Sequence, residues 1–226
     1  MKKVIEYLIT KVKKRDFKFD DNISRSYIFI LTISKARCLL RGLLLYRKRI
    51  FLGKGSRIFC SEKLIFSSTV EIGNWCTVDC LSSHGVMLGD NFKIGDFSKI
   101  IASGTIRDLG KGITIGDNVA VGEYSYIGGA GGVTIGDNCI IGQYLSIHPE
   151  NHIFDNKNLL IREQGLVRHG ISIGNNCWIG AKVTICDGVT VGNNCVIAAG
   201  SVVTKSFNDN SLIGGIPAKY IRNTSE

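Results

Sequence analysis

Aliphatic residues recur every six positions over much of this chain, most of them followed by glycine. Ile173-Gly174, Ile179-Gly180, Ile185, Val191-Gly192, Ile197 and Val203 keep the spacing without a slip. Ile115-Gly116, Val121-Gly122 and Ile127-Gly128 form a second set, and Ile135-Gly136, Ile141-Gly142 and Ile147 a third. Ile72-Gly73, Leu88-Gly89 and Ile94-Gly95 continue the pattern upstream with longer gaps. A period of six excludes an amphipathic helix, and a hairpin sandwich needs about 8–12 residues per strand. Each unit reads as a short strand with an inward branched side chain. A turn follows, in which Gly, Asp and Asn tolerate positive φ. Parallel coils, each burying its aliphatic stripe on the next, satisfy this pattern.

The 226 residues, 44% hydrophobic, suffice for one sizeable core and a small appendage. Residues 1–57 hold 16 Lys and Arg against 4 Asp and Glu, a net of +12, while the remainder is at −3. The overall +9 therefore belongs to the N-terminal quarter. A body that wraps nucleic acid would need a basic face of its own, so no nucleic-acid partner is expected. Of eight cysteines, Cys76, Cys139, Cys177 and Cys195 fill one repeat slot, in IGNWC, IGDNC, IGNNC and VGNNC. Recurrence in one slot suits a small core filler better than a bridge. There is no CxxC pair, so no metal is expected. Reduced thiols suit a cytoplasmic protein. The N-terminus shows no secretory-signal pattern.

One stretch breaks the repeat. Residues 148–170 read HPENHIFDNKNLLIREQGLVRHG and hold three of the four histidines. The run IGNNCWIGAKVTICDGVTVGNNCVIAAGSVVTKSFNDNSLIGGIPAKYIR follows it, and this pattern resembles the hexapeptide-repeat acyltransferases, in particular their polysaccharide O-acetyltransferase branch. The resemblance implies a mainly β fold, a left-handed parallel β-helix solenoid with a helical N-terminal segment and a protruding loop. The boundaries expected are 1–57 for the N-terminal segment and 58–216 for the β-helix, with the loop at 148–170 and a C-terminal tail at 217–226.

It also implies acetyl-CoA as acyl donor, a sugar hydroxyl of a bacterial envelope polysaccharide or its precursor as acceptor, a homotrimer, and a loop histidine as general base. The Asn-His-x-Phe-Asp match, Asn151 to Asp155, points to His152. An imidazole can take the hydroxyl proton and pass it to the leaving thiolate near neutral pH. Glu163, in IREQG, is the first choice to fix its tautomer, with Asp155 the other. His148 is the runner-up base, His169 ends the loop, and His84 lies in an irregular upstream coil. For the donor, Trp178 matches the tryptophan beside the pantetheine arm, and Ala181, Ala199 and Gly200 leave room for that thin chain. Lys205, Lys219 and Arg222 match the cations that meet the phosphates and adenine.

Residues 2–14 place Val4, Ile5, Leu8, Ile9 and Val12 on one helical face among lysines. Lys35, Arg37 and Arg41 interrupt the apolar run at 27–46, which argues against a spanning helix. A basic element lying on an anionic membrane surface, and a cap over the first open coil, both fit this quarter. The first places the protein at the inner face of the cell membrane. The rival activities are N-acetylation of an amino-sugar nucleotide and O-acetylation of an antibiotic. A metal-dependent carbonic anhydrase fits poorly, because His148 and His152 are four apart where that family spaces the pair at five.

Overall fold

The computed structural model describes residues 2–13 and 16–225. The chain divides into two compact units, Met1–Phe51 and Leu52–Glu226.

The first unit carries two helices, α1 (Lys2–Lys13) and α2 (Arg25–Tyr46). The side chains of Leu8 and Val12, expected on the apolar face of α1, lie outside the described residues. The segment after α1 folds back on it: Glu6 accepts from the Phe19 N–H at 2.9 Å and Thr10 from the Phe17 N–H at 3.1 Å. Ser24 caps α2 by accepting from the Tyr27 N–H at 3.2 Å. Arg47 ends it in the left-handed region, its N–H returning to the Leu43 carbonyl at 3.0 Å. Helix α2 exposes Tyr27, Phe29, Ile30, Leu40, Leu43, Leu44 and Leu45. Among the described residues no helix is long and apolar enough to cross a membrane.

The second unit is a left-handed parallel β-helix walled by three sheets. The first sheet runs through Val70–Ile72, Phe92–Ile94, Ala120–Val121, Ile140–Ile141, Trp178–Ile179, Val196–Ile197 and Ser211–Gly215. The second contains Arg57–Phe59, Thr77–Asp79, Lys99–Ile101, Tyr126–Gly128, Ser146–His148, Thr184–Cys186 and Val202–Val203. The third contains Leu64–Phe66, Val86–Leu88, Ile113–Ile115, Val133–Ile135, Ile171–Ile173 and Thr190–Val191. Registers follow the repeat. Ile115 pairs with Ile135, Val121 with Ile141 and Ile127 with Ile147. Ile173 pairs with Val191, Ile179 with Ile197 and Ile185 with Val203. All twelve are buried, each worth about 1.5–3 kcal/mol of transfer free energy.

The turn chemistry explains the Ile-Gly-Asp-Asn pattern. Asn118, Asn138, Asn176 and Asn194 have positive φ, and the Asn176 amide donates to Asn194 on the next coil at 2.9 Å. The residue before each asparagine caps the coil behind it, as where Asn175 Oδ1 accepts from the Asp137 N–H at 2.7 Å. A Cβ on Gly136 would lie 2.4 Å from that same Asn175 oxygen, so only glycine fits there. Another turn column departs from expectation. Trp75, Phe97, Tyr124 and Tyr144 all adopt positive φ despite their bulk. Phe97 stacks on Tyr124 at 5.0 Å and Tyr124 on Tyr144 at 5.2 Å, which offsets the backbone cost.

Cys76, Cys139, Cys177 and Cys195 are buried and unbridged, as core fillers. Burial pushes the thiols of Cys76 and Cys195 up, keeping them neutral. Residues 217–226, expected as a tail, include the strand Ala218–Asn223, which pairs antiparallel with Ser211–Gly215 and closes the first sheet.

Candidate active site

The interruption at 148–170 is a hairpin. The neighbouring turns show its size: Asp137 lies 38 residues from its partner Asn175, whereas Asn175 lies 18 from Asn193. Asn151 pairs with Val167 and His152 with Leu166, antiparallel. The far end is held by its own bonds. The Gln164 side chain donates to the carbonyls of Asn156 and Leu159, both at 3.0 Å, and accepts from the Asn156 N–H. Phe154, Leu159, Leu160 and Ile161 are exposed there. The chain leaves the coil over a glycine cluster. A Cβ on Gly131 would lie 1.9 Å from the Pro149 carbonyl oxygen, so GGAGG at 128–132 makes the room for the exit.

His152 is exposed on this hairpin, and its imidazole has no hydrogen-bond partner among the described residues. Glu163 does not meet it. The Glu163 carboxylate accepts from the Leu160 N–H at 3.4 Å and so caps its own turn, Ile161–Glu163. Asp155 has no bond to His152 either. His148 ends its strand with the imidazole 2.7 Å from Ser146 Oγ and stacked on Tyr126 at 5.4 Å.

The hairpin root is the polar part of the structure that sequence reasoning missed. Arg168 is held between two carboxylates, Asp108 at 2.8 Å and Glu150 at 3.0 Å, with its side chain 12% exposed. Its Nη2 is buried without a partner. Beside it, Asp187 accepts from the His169 N–H, from the Gly170 N–H at 2.8 Å and from His169 Nδ1 at 3.0 Å. Burial alone would raise the Asp187 pKa; those donors overcome it, and the carboxyl sits below its ordinary value. His169 thus ends the loop, as expected, and also has an oriented imidazole. A shallow groove of about 530 Å³ runs from this root along the third sheet, bordered by His84, Lys111 and His169. No sequence signal linked Asp108 and Asp187 to the loop, because each of those contacts is a pairing between coils, while Glu150 and Arg168 join the two ends of the hairpin itself.

The expected donor residues fall in two places. Gly200 donates to the Ala181 carbonyl at 2.8 Å, and a Cβ on Gly180 would lie 2.5 Å from the Ala199 nitrogen. Ala181, Ala199 and Gly200 are therefore neighbours at one corner, and a Cβ on Gly200 would meet nothing. Trp178, 59% exposed, sits in the outward row of the first sheet, in register with Ile140 and Val196. Lys205 Nζ lies 5.7 Å from the Phe207 ring centre. Lys219 and Arg222 are exposed on the closing strand, opposite Gly214 and Leu212. Among the described residues no group of three His, Cys, Asp or Glu could hold a metal ion.

Two family models match the coils. Residues 170–205 match the bacterial transferase hexapeptide (six repeats), and residues 112–143 the hexapeptide repeat of succinyl-transferase. Both matches lie within the β-helix and together take in under a third of the chain. Over 56 residues, 25% of its length, it is 55% identical to a putative acetyltransferase of Staphylococcus haemolyticus, covering 29% of that protein. Over a stretch of the same length it is 38% identical to the galactoside O-acetyltransferase of Escherichia coli, covering 28% of it. The chain thus spans less than a third of the length of these curated relatives. Among solved structures, a maltose O-acetyltransferase from Clostridium difficile is 23% identical, with 86% of this chain and 88% of that one covered and a TM-score of 0.46. An N-acyltransferase from Bacillus cereus is 16% identical, with 78% and 82% covered and a TM-score of 0.48.

Proposed function

We propose that this protein transfers an acetyl group from acetyl-CoA to a sugar hydroxyl of a bacterial envelope polysaccharide or its precursor. The observation that carries the reading is the hairpin. It lifts an exposed, unpartnered imidazole, His152, off coils that match bacterial transferase repeats. The curated relatives add weight, one a putative acetyltransferase and one a galactoside O-acetyltransferase. His152 takes the acceptor proton as the hydroxyl oxygen attacks the thioester carbonyl. The carbon–sulfur bond breaks, and the proton passes to the thiolate of CoA. The pantetheine arm lies along Trp178 and the small corner of Ala181, Ala199 and Gly200, with Lys205, Lys219 and Arg222 toward the phosphates. The exposed apolar row at Ile140 and Trp178 supports a homotrimer with this donor site at the subunit boundary. The charge of residues 1–57 and the exposed leucines of α2 support a place at the inner face of the membrane.

One observation favours a second base within the same reaction. His169, unlike His152, has a carboxylate on Nδ1, the arrangement that fixes a tautomer and stabilises an imidazolium. Thiol release from acetyl-CoA against sugars, oligosaccharides and lipid-linked glycans, with His152→Ala and His169→Ala beside the wild type, tests both. The expected result is acceptor-dependent release that His152→Ala reduces by about 10²–10⁴-fold, the range for a general base. Loss in His169→Ala alone moves the base to the root, and no CoA binding in the wild type refutes the acetyl-transfer reading.

A further inference from the structure

The outward positions of a β-helix are not dictated by its core, so their chemistry carries information. On the third sheet, Thr114 pairs with Thr134, Thr134 with Ser172, and Ser172 with Thr190. Four hydroxyls therefore form one row across four adjacent strands, spanning about 14 Å at the usual strand spacing. None of the four has a hydrogen-bond partner among the described residues. All four line the groove at the hairpin root.

The groove's edge adds two oriented imidazoles. His84 Nδ1 lies 2.9 Å from the Lys111 carbonyl oxygen, which can only accept, so Nδ1 carries the proton. His169 Nδ1 faces the Asp187 carboxylate in the same way. With Nδ1 protonated, the neutral form of each ring presents Nε2 as a hydrogen-bond acceptor. Acceptors and hydroxyls together suit a ligand made of hydroxyl groups. The groove does not suit a nucleotide. Its lining holds no indole or phenyl ring to stack a base, and one cation, Lys111. Four of its five glycines offer nothing to a phosphate, since their N–H groups are spent: Gly112 and Gly132 donate to Gly129, Gly188 to Gly170, and Gly170 to Asp187.

We infer that this groove is an acceptor subsite for a linear chain of several sugar units, lying across the coils with its hydroxyls on Thr114, Thr134, Ser172 and Thr190 and on the Nε2 atoms of His84 and His169. The inference rests on the carbohydrate acceptor of the preceding reading and narrows it. The occupant is an oligosaccharide or polysaccharide segment, and neither a single sugar nor a sugar nucleotide fills the row.

Threonine also suits an exposed strand for its backbone preference alone, so the test keeps that preference and removes the hydroxyl. In the full chain, Thr134→Val, Ser172→Ala and Thr190→Val are combined. Calorimetric titration is run with α-1,4-glucan, β-1,4-N-acetylglucosamine and β-1,4-galactan oligomers of one to six units, and with UDP-N-acetylglucosamine. At least one series should tighten by about tenfold or more from one unit to four, the gain expected from two or three added hydrogen bonds. The triple variant should lose that gain while its melting temperature and CoA affinity stay unchanged. No length dependence in any series, tighter binding of the nucleotide sugar, or an unaltered triple variant overturns the inference. Thiol release is measured alongside. Length-dependent binding without release leaves the groove standing and refutes acetyl transfer, whereas release that is equal for monosaccharides does the reverse.

Discussion

Removing Asp187 should open the hairpin root and little else. Its carboxylate accepts from three donors, the N–H groups of His169 and Gly170 and the His169 ring. The Gly170 amide is half-buried and would lose its partner outright, at about 1–3 kcal/mol. The His169 amide and ring belong to an exposed residue and would regain water. Asp187→Ala should therefore cost about 2 kcal/mol locally, a roughly 30-fold rise in the opening equilibrium. Amide hydrogen exchange reads this directly. The reporters are the Ile171 N–H, bonded to Gly132 at 3.0 Å, and the Gly188 N–H, bonded to Gly170 at 2.9 Å. The Thr184 N–H, bonded to Ser201 on the second sheet, is the internal control, because solenoid coils gain stability chiefly from their neighbours. Unchanged exchange at Ile171 and Gly188 would refute the reasoning, as would an equal rise at all three amides.

Two further outcomes follow from the same structure. Ile127, 0% exposed and in register between Ile100 and Ile147, should cost about 3 kcal/mol as Ile127→Ala, read as a lower urea midpoint. Acid should loosen the loop root and the last turn. Asp187 keeps a lowered pKa against its burial through the His169 and Gly170 donors, and the Asn193 backbone and side-chain N–H groups lower that of Asp209. Both contributions are complete above the ordinary carboxylate value of about 3.9 and are lost as pH falls through the lowered folded values. Exchange at Gly188 and Asn194 should be independent of these groups at pH 5 and accelerate beyond the intrinsic acid trend only below about pH 4.

The coils were legible because the same inward slot recurs: Ile173, Ile179 and Ile185 pair with Val191, Ile197 and Val203 as the spacing required. The cysteine column was legible for the same reason. The hairpin was legible as an interruption, but its internal order was not. Glu163, the first choice to fix the His152 tautomer, sits in a short turn where its carboxylate finds the nearer Leu160 amide. Asp187 and His169 lie 18 residues apart, one coil, and Arg168 reaches Asp108 across a much longer separation. Pairings of that kind depend on which coil lies beside which, and the irregular stretch at 101–112 and the hairpin both shift that count. The aromatic column at Trp75, Phe97, Tyr124 and Tyr144 was missed for another reason. Single-residue turn preferences oppose it, and stacking between coils offsets them at Phe97, Tyr124 and Tyr144.

The three outer faces share one backbone and differ in chemistry, which separates what folds the chain from what it can bind. The first sheet presents Ala120, Ile140, Trp178, Val196 and Leu212 outward, an apolar row in register. The third presents Thr114, Thr134, Ser172 and Thr190, a polar row in register. Valine and threonine are comparable as strand formers, so folding alone would accept either residue in either row. A ligand that crosses the coils meets each row as one group repeated about every 4.8 Å. An apolar row of that kind suits a flat partner such as a second subunit or the thin pantetheine arm, and a hydroxyl row suits a chain that is itself periodic and hydroxylated. The hairpin leaves the solenoid between the second and third sheets, so the residue that ends it, His169, stands at the edge of the hydroxyl row. That placement joins the acceptor subsite to the histidine-bearing loop through the chain itself.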